Sequence, residues 1–571
     1  MGEAPRHPHS RDHLRERVGG RGLVHRYDER RQGAHLRRGR RLRSLRGPHL
    51  GALHLVRPPL AGEAGVNHDY AYPLRTAADR FATRVAIRYR GTSWTFAEAD
   101  AVTDRIAAAC ERRGLSGASA LLLLNNEPLT VFAMLGLARA GITAVPVNPR
   151  LTVNEIAFQL EDSASTVIIA DAAFVEVARQ LASTHPTVRL VVTANVADPA
   201  DGEARLEDLA DEAGAPTTVV DSSSTAQIVY TSGTTGFPKG VIRTHEANLW
   251  TTVNHALGQP RAAEDVELFV LPLFGIAFVF QVLPTLMQGG TVVLDGGFDP
   301  ARAWEVLETE NVTRAFFAPT MLSSMLEVEG HERYDVSALT TLNSAYEFPV
   351  KVREAAERRF GPVIAYMYGL SESQLTASTK EAFAADPTNA GPAMGLSRVR
   401  AVGPAGEVLP PGEVGEIVLQ GPSTMAGYLN RPEINATTVV DGWLHTGDIG
   451  YVDAHGAVHM SGRKKEIIKT GGFAVDPVEV ENCLLTHDEI AEAAVIGIPD
   501  DHWGQRIVAY VVRRAEISEA DVIAHVRAGL ATFKAPKDVC FVPELPKTPT
   551  GKIQRAELRK IEHKKMGTPT A

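Results

Sequence analysis

The sequence has 571 residues, of which 44% are hydrophobic and 22% charged, so it can bury sizeable cores and divide into several folded units. Its formal net charge of −9 is unevenly spread, because residues 1–66 hold 15 arginines, no lysine and six acidic residues. The remaining body is therefore strongly acidic, which excludes a general nucleic-acid binder. The three cysteines are far apart in the sequence, so there is no reason to expect disulfides or a zinc site. This cysteine usage favours a cytoplasmic protein.

The first 66 residues differ from everything after them. Residues Arg30–Gly47, "RRQGAHLRRGRRLRSLRG", combine like charge with little apolar periodicity, which favours a disordered state. No continuous apolar run follows the arginines, as a secretory signal requires, and acidic residues argue against the alternative of an organellar transit peptide. We therefore predict a disordered basic extension without a function, or a misplaced start, with the folded chain beginning near Asn67.

From Ala71 onward, segments with helical periodicity alternate with short apolar segments. Residues Phe96–Gly114 and Leu129–Gly141 have the apolar spacing of helices, and both end in glycine. The segments typical of buried strands are "ALLLLNN", "TAVPVN", "STVIIAD", "TVRLVVT" and "GGTVVLDG". This alternation predicts a layered α/β body with mostly parallel strands.

A glycine-rich segment, "YTSGTTGFPKG" (Tyr230–Gly240), separates the predicted strand "AQIVY" from the helical "HEANLWTTVNHAL". Exposed backbone N–H groups and hydroxyls can surround a phosphate chain closely. Lys239, the first lysine in the chain, supplies a compact positive charge. A flexible surface loop is the alternative, because the spacing differs from that of the common P-loop.

The run Leu268–Met287, "LFVLPLFGIAFVFQVLPTLM", is long and apolar enough to resemble a membrane span. Two prolines interrupt it, and acidic residues precede it where an anchor often has cations. We predict a buried strand followed by a core helix, and no membrane span.

After Gly395 the sequence changes to short strands and turns, as in "GEVLPPGEVGEIVLQG" and "GYVDAHGAVHMSGR". From Val478 onward it returns to mixed helix and strand around "AAVIGIPD" and "IVAYVVRR". The complete fold prediction is a large α/β body with a small β-rich section, followed by a compact α+β terminus.

Four further motifs follow the glycine-rich segment. They are "YGLSE" (Tyr368–Glu372), "DGWLHTGD" (Asp441–Asp448), "SGRKK" (Ser461–Lys465) and "PKTPTGK" (Pro546–Lys552). In this order they closely resemble the adenylate-forming superfamily of acyl-CoA synthetases, aryl-CoA ligases, luciferases and peptide-synthetase adenylation domains, and class I acyl-CoA ligases most of all. The resemblance covers residues 70–562. It implies an AMP-binding domain over residues 67–464 and a mobile C-terminal domain over residues 465–571.

The resemblance implies three ligands: ATP, Mg²⁺ and coenzyme A. Lys239 and the glycine-rich segment would hold the β- and γ-phosphates, through Thr231, Ser232, Gly233, Thr234, Thr235 and Gly236. Glu372 would coordinate Mg²⁺, whose preference for oxygen ligands and phosphate suits a single carboxylate. Ser371 stands where the family usually has threonine, and its hydroxyl would also face phosphate.

The same resemblance assigns residues to the nucleoside and to the first reaction. Tyr368 would lie against the adenine face, with Gly369 beside it. Asp448 would accept hydrogen bonds from the ribose hydroxyls, and Arg463 would reach the same sugar. Lys552 would bridge the carboxylate and the α-phosphate while the acyl-adenylate forms.

A second reaction step is implied by domain motion. Lys465 matches the hinge residue about which the C-terminal domain rotates after adenylation, withdrawing Lys552. Rotation would bring Lys469, Gly471 and Gly472 toward the adenylate, where the pantetheine thiol of coenzyme A would enter. The two glycines would permit close backbone approach to that thin chain. The alternative interpretation is an ordinary glycine turn before a helix.

Two departures from the family pattern concern the acyl group. Gly275 stands where the family commonly has histidine or a bulky aromatic residue, which predicts an enlarged or reshaped acyl pocket. In "LNSAYEFP" (Leu342–Pro349) small glycines are replaced by Ser344 and Ala345, followed by Tyr346 and Glu347. Ala345 and Tyr346 would border adenine and the acyl group. We expect a structural role for Glu347, and the alternative is recognition of a polar or cationic group on the substrate.

The predicted activity is ATP- and Mg²⁺-dependent ligation of a fatty or aromatic carboxylic acid to coenzyme A, through an acyl-adenylate. One alternative is delivery of the acyl group to a carrier protein, an amine or another acceptor, and luciferase-like oxidation is a more distant one. A catalytically inactive adenylate-binding protein is the alternative outside enzymology. The acid, the pathway and the oligomeric state stay open at this point.

Overall fold

The structure is a computed structural model that describes residues 68–231, 238–345, 348, 350–463, 466–470, 473–500, 503–548 and 551–565. The predicted basic extension of residues 1–66 lies outside these residues. The elements of residues 68–231 are, in chain order, α1 (Tyr72–Phe81), β1 (Val85–Tyr89), β2 (Thr92–Thr95), α2 (Phe96–Arg112), β3 (Ser119–Leu123), α3 (Pro128–Arg139), β4 (Thr143–Pro146), α4 (Val153–Asp162), β5 (Val167–Asp171), α5 (Val175–Thr184), β6 (Leu190–Ala194), β7 (Ala204–Arg205), α6 (Leu206–Asp211) and β8 (Thr225–Thr231).

Residues 238–463 continue with β9 (Lys239–Thr244), α7 (His245–Gly258), β10 (Val266–Phe269), α8 (Leu283–Met287), β11 (Thr291–Leu294), α9 (Pro300–Thr309), β12 (Arg314–Phe316), α10 (Pro319–Leu326), β13 (Thr341–Ala345), α11 (Val350–Phe360), β14 (Ile364–Leu370), β15 (Ser373–Ala377), α12 (Lys380–Ala385), β16 (Asn389–Pro392), β17 (Arg398–Val402), β18 (Gly415–Gln420), β19 (Gly427–Tyr428), α13 (Pro432–Thr438), β20 (Val439–Val440), β21 (Trp443–Val452) and β22 (Ala457–Arg463). The last elements are β23 (Ile468–Thr470), β24 (Phe473–Val475), α14 (Pro477–Leu485), β25 (Ile490–Asp500), β26 (Gly504–Arg513), α15 (Glu519–Gly529), β27 (Asp538–Phe541) and α16 (Arg555–Lys565).

Local sequence signals explain several helix boundaries. The Thr95 hydroxyl accepts a hydrogen bond from the Glu98 N–H, and the Thr95 N–H donates to the Glu98 carboxylate in return, a capping box that starts α2. The turn after this helix reaches Gly114, whose φ of +66° is a conformation that glycine adopts without steric cost. The predicted helix over Phe96–Gly114 is therefore confirmed.

Two eight-stranded sheets form the body, with strand orders β15-β14-β13-β12-β10-β11-β1-β2 and β19-β9-β8-β4-β3-β5-β6-β7. The inner strands are parallel, from β1 through β11, β10, β12 and β13 to β14 in the first sheet, and antiparallel pairs occur toward the edges. Each predicted strand segment forms a strand, from β3 to β6 and at β11. The alternation of the sequence thus predicted the layered α/β body correctly.

The β-rich section after Gly395 forms most of a third, antiparallel sheet, with the order β16-β22-β21-β18-β17 and β20 paired to β21. Its edge strand β16 precedes Gly395. A fourth sheet follows, with the order β24-β23-β26-β25 and β27 parallel to β26. Its two apolar cores contain only residues from Ile468 onward.

The apolar run Leu268–Met287 forms β10, a π-helical turn over Phe278–Val282 and then α8. All side chains of this turn are buried in the core of the body. The predicted strand and core helix are therefore confirmed, and the described parts of the chain contain no helix that combines the length and apolarity of a membrane span.

Candidate active site

The carboxyl ends of β12, β13 and β14 lie side by side at one edge of the first sheet, where open α/β sheets bind their ligands. Ala345 is the last residue of β13, and Tyr368 and Gly369 lie near the end of β14. Ser371 and Glu372 form the turn into the antiparallel strand β15. Parallel pairing thus brings these predicted site residues to one edge.

The glycine-rich segment connects two antiparallel strands rather than a strand and a helix. Thr231 at the end of β8 pairs with Lys239 at the start of β9, and α7 begins only after Thr244. The predicted strand and helix on either side are confirmed as β8 and α7, and "KGVIRT" forms the additional strand β9 between them. Ser232, Gly233, Thr234, Thr235 and Gly236 lie outside the described residues.

Tyr428 contacts two residues that were predicted to act on the triphosphate. The ammonium of Lys239 lies 4.9 Å from the centroid of the Tyr428 ring. The hydroxyl of Tyr428 donates a hydrogen bond of 2.6 Å to Oε1 of Glu372, which is 56 residues earlier. The fold therefore brings the predicted phosphate cation to the ring, and the predicted metal ligand to the hydroxyl, of one aromatic side chain.

A buried guanidinium supports the backbone of Glu372. Arg243 donates to the carbonyl of Ser423 at 2.6 Å and to that of Glu372 at 3.4 Å, and its other nitrogens bond Asn248 and Thr251. Burial lowers the pKa of Arg243 to about 10, and the nearby Glu372 acts in the opposite direction, so the group remains cationic at neutral pH.

Two of the residues predicted to bind the nucleoside, Tyr368 and Asp448, are in direct contact in the structure. The hydroxyl of Tyr368 donates a 2.8 Å hydrogen bond to Oδ2 of Asp448. Asp448 lies on β21, where it is paired directly with Arg463 of β22. Of Arg463 only the backbone is among the described atoms, so its side chain stays a prediction.

Lys552 lies in a tight turn that reaches the body. Its N–H donates to Oγ1 of Thr548 at 3.0 Å, and the Thr548 N–H donates to the carbonyl of Lys552 at 2.7 Å. A Cβ added to Gly551 would lie only 2.0 Å from Oγ1 of Thr320. Because Thr320 belongs to the first turn of α10, just after β12, this turn is packed against the edge that carries Ala345 and Tyr368.

The remaining predicted residues are only partly described. Tyr346, Glu347, Lys465, Gly471 and Gly472 lie outside the described residues, and of Lys469 only the backbone is described, in β23. Two departures are described in full. Ser344 is buried and donates to the carbonyl of Phe317 at 2.8 Å, while a Cβ on Gly275 would meet only the carbonyl of Pro272, at 3.6 Å.

The residues present fit a magnesium ion bound together with a nucleotide. The described residues include no group of three or more His, Cys, Asp or Glu side chains that could hold a metal by themselves. Mg²⁺ commonly uses one or two carboxylates together with phosphates and water. Glu372 could supply that carboxylate, since the Tyr428 contact involves only its Oε1 atom.

Sequence reasoning missed Tyr428, Arg243 and Thr320. Tyr428 follows "MAG" in a strand of only two residues, and Arg243 lies in β9, a strand that the sequence did not predict. No local signal distinguishes Thr320 from other residues of a helical first turn. Their proximity to the site depends on pairing between distant segments.

Comparison with known proteins agrees with this geometry. A family described as AMP-binding enzyme matches residues 74–429, and its C-terminal domain family matches residues 479–552. A feruloyl-CoA synthase from Amycolatopsis sp is 35% identical over 486 residues, which cover 83% of this chain and 95% of that protein. The 4-coumarate–CoA ligase 5 of Oryza sativa subsp. japonica is 32% identical, covering 86% and 94%.

Among solved structures, ATP-bound MatB from Rhodopseudomonas palustris is 27% identical to this chain. It superposes with a TM-score of 0.79, over 88% of this chain and 100% of that one. The similarity therefore spans both the body and the fourth sheet.

Proposed function

The chain belongs to the AMP-binding enzyme family and is an ATP-dependent ligase that joins a carboxylic acid to coenzyme A through an acyl-adenylate, and we propose that this acid is aromatic. One observation carries the proposal: the 35% identity to a feruloyl-CoA synthase covers nearly the full length of that protein. The 32% identity to a 4-coumarate–CoA ligase points to the same class of acid.

Aromatic side chains beside the strand ends support a ring-shaped substrate. Phe280 packs edge-on against Phe316, the last residue of β12, with ring centroids 5.8 Å apart. Phe298 packs in the same way against Phe317, at 6.2 Å. Gly275, one short segment before Phe280, has space beside its backbone. Aromatic rings prefer offset-stacked and edge-to-face arrangements, and a planar aromatic acyl group can adopt either one.

In the first step, a carboxylate oxygen of the acid attacks the α-phosphate of ATP and pyrophosphate leaves. We assign Lys552 to the charge that develops between the carboxylate and the α-phosphate, and Lys239 to the β- and γ-phosphates. Glu372 would hold Mg²⁺, which supplies charge neutralisation when bound. Fixed cations suit this reaction because little covalent chemistry is required of the protein itself.

The nucleoside part of ATP is assigned to the third sheet and the end of β14. Tyr368 would contact adenine, and the carboxylate of Asp448 would accept the ribose hydroxyls, with Arg463 beside it. The 2.8 Å bond between Tyr368 and Asp448 supports this assignment, since it holds the two side chains at a fixed separation.

In the second step, a thiol displaces AMP from the adenylate. The contact between the Lys552 turn and Thr320 suits the first step, because it holds Lys552 at the strand ends. We propose that the C-terminal region then rotates about Lys465, so that Lys552 leaves and the segment with Lys469, Gly471 and Gly472 reaches the adenylate.

A panel of acids tests the proposal. Ferulate, 4-coumarate, cinnamate, benzoate, hexanoate and palmitate are each supplied with ATP and Mg²⁺, and pyrophosphate release is measured with and without coenzyme A. We expect the ring-bearing acids to react at least about tenfold faster, in kcat/KM, than the two aliphatic acids. A preference for palmitate or hexanoate would show that the aromatic assignment is wrong.

The acceptor is identified by mass spectrometry of the same reactions, with hydroxylamine as a trap for the adenylate. An acyl-CoA product is the expected result. A trapped hydroxamate without any thioester would favour the alternative acceptors, such as an amine or a carrier protein. Absence of both products with every acid would favour an adenylate-binding protein without catalytic activity.

A further inference from the structure

Tyr428 is held rigidly between the strand that carries Lys239 and the turn that carries Glu372. Its strand β19 pairs antiparallel with β9, so that Tyr428 lies opposite Val241 and Leu429 donates to the carbonyl of Gly240 at 2.8 Å. Lys239 begins the same strand β9. The tyrosine and the lysine therefore share one pair of hydrogen-bonded strands.

The side chain of Asn435 binds the backbone of Tyr428 through two hydrogen bonds. The carboxamide of Asn435 accepts from the Tyr428 N–H at 2.7 Å and donates to the Tyr428 carbonyl at 2.8 Å. Both backbone groups are thus satisfied by one residue of α13. A Cβ added to the preceding Gly427 would approach this carboxamide to 3.0 Å, so these two hydrogen bonds also depend on glycine at position 427.

The backbone of Glu372 is fixed to the same segment. Its carbonyl accepts from the N–H of Met425 at 2.8 Å, three residues before Tyr428, and from the buried Arg243 of β9. Main-chain bonds therefore set the distance between Tyr428 and Glu372 before their side chains meet. The 2.6 Å hydroxyl contact follows from that framework.

We propose that Tyr428 is a positioning residue of the phosphate and metal site. Its hydroxyl orients the carboxylate of Glu372 toward the Mg²⁺ that accompanies ATP, and its ring holds the ammonium of Lys239 toward the same phosphates. The inference rests on the proposed function, because it takes ATP and Mg²⁺ as the ligands of Glu372 and Lys239.

The physical reason is the cost of ordering flexible charged groups. A carboxylate on a turn has several rotamers, and each must be restricted when the ion binds. A charge-assisted hydrogen bond to one oxygen selects one orientation in advance, while the second oxygen stays available to a cation. An aromatic face attracts an ammonium in a similar way without neutralising its charge.

Tyr428→Phe tests the hydroxyl, because it keeps the ring. Binding of ATP is measured by calorimetry over a range of Mg²⁺ concentrations and without any acid. We expect the Mg²⁺ concentration for half-maximal enhancement of ATP binding to rise about tenfold, the usual effect of losing a hydrogen bond to a charged group. ATP affinity in the absence of Mg²⁺ is expected to be unchanged, whereas Tyr428→Leu lowers it as well.

Tyr451→Phe is the matched control, since this tyrosine lies in the third sheet and stacks on His459. Coupling is measured with Glu372→Gln: in that background, Tyr428→Phe is expected to change the Mg²⁺ dependence less than twofold. An equal shift in both backgrounds, or none in the wild-type background, overturns the proposal. Asn435→Ala, which leaves both charged groups intact, provides a second variant and should shift the Mg²⁺ dependence in the same direction.

These measurements separate the inference from the proposed function. If no acid releases pyrophosphate but Mg²⁺-dependent ATP binding still requires the Tyr428 hydroxyl, the catalytic assignment fails and the positioning role stands. If pyrophosphate is released normally and the hydroxyl has no effect on the Mg²⁺ dependence, only the positioning role fails.

Discussion

The hydroxyl of Tyr368 donates a hydrogen bond to the carboxylate of Asp448 at 2.8 Å, across 80 residues of sequence. Tyr368 lies near the end of a strand of the first sheet, and Asp448 lies within the third sheet. Both side chains are buried. The contact therefore fixes the third sheet to the edge of the body at which the nucleotide is expected.

Tyr368→Phe removes this bond and keeps the ring. We expect the KM for ATP to rise about 5–20-fold, because Asp448 loses a partner that orients its carboxylate, with a smaller effect on kcat. Steady-state pyrophosphate exchange at varied ATP concentration is the measurement. Tyr334→Phe is the control, since that hydroxyl accepts from Arg333 at the surface. An unchanged KM would contradict a role of the pair in holding ATP.

Lys552→Ala is expected to separate the two half-reactions. Acid-dependent pyrophosphate exchange should fall at least about 100-fold, as when one preorganised electrostatic donor is removed. Thioester formation from a supplied acyl-adenylate should stay within about threefold of the wild-type rate, because the proposed rotation withdraws Lys552 before this step. Lys547→Ala is the control, since Lys547 pairs with Glu492 at 2.7 Å in the same segment. Equal losses in both half-reactions would contradict the assigned role.

Gly551→Ala tests whether packing of the Lys552 turn against α10 is required for adenylation. Gly551 has a φ of +79°, and a methyl group there would overlap Oγ1 of Thr320. We expect pyrophosphate exchange to fall about tenfold or more, with thioester formation spared. Gly456→Ala carries the same backbone strain, with a φ of +84° but no atom within 4 Å, and should not affect exchange.

The additional variant Thr320→Ala, combined with Gly551→Ala, should restore part of the exchange activity because it removes the overlapping hydroxyl. Failure of this pair to exceed Gly551→Ala alone would indicate that backbone strain, rather than contact with the body, causes the loss. The comparison is made at equal folded concentration, judged by circular dichroism.

His255 is expected to make stability depend on pH. It is fully buried on α7 against Phe280, with ring centroids 5.3 Å apart, and neither ring nitrogen has a hydrogen-bond partner among the described residues. Burial lowers the pKa of His255 from 6.5 to about 3, and the charge of Arg261 acts in the same direction. The imidazole is therefore neutral in the folded protein.

The unfolded chain takes up this proton near pH 6.5, so the stability is fully present above that pH and is lost as the pH falls toward 3. The unfolding free energy of the wild-type protein should fall between pH 7.5 and 5.0, and in His255→Leu this fall should be smaller by about 2 kcal/mol. Urea unfolding at each pH measures this, with exposed His455→Leu as the control. Identical pH dependence in wild type and His255→Leu would contradict the expected titration.

The fold was largely predictable because its signals are local. Alternating helical and apolar segments specified the strands from β3 to β6, and the prolines of Leu268–Met287 distinguished a core element from a membrane span. The position of β9 was not predicted, since "KGVIRT" forms a strand through pairing with β8, which the local sequence does not show.

The sequence by itself determined the candidate reaction through its resemblance to the adenylate-forming superfamily, because short motifs such as "YGLSE" and "PKTPTGK" carry that resemblance. Only the tertiary structure decided how those segments meet. Tyr428 reaches Glu372, and Thr320 receives the Lys552 turn, through strand pairing and packing between segments far apart in the chain. Such contacts depend on the closure of long loops, which no local pattern of residue types encodes.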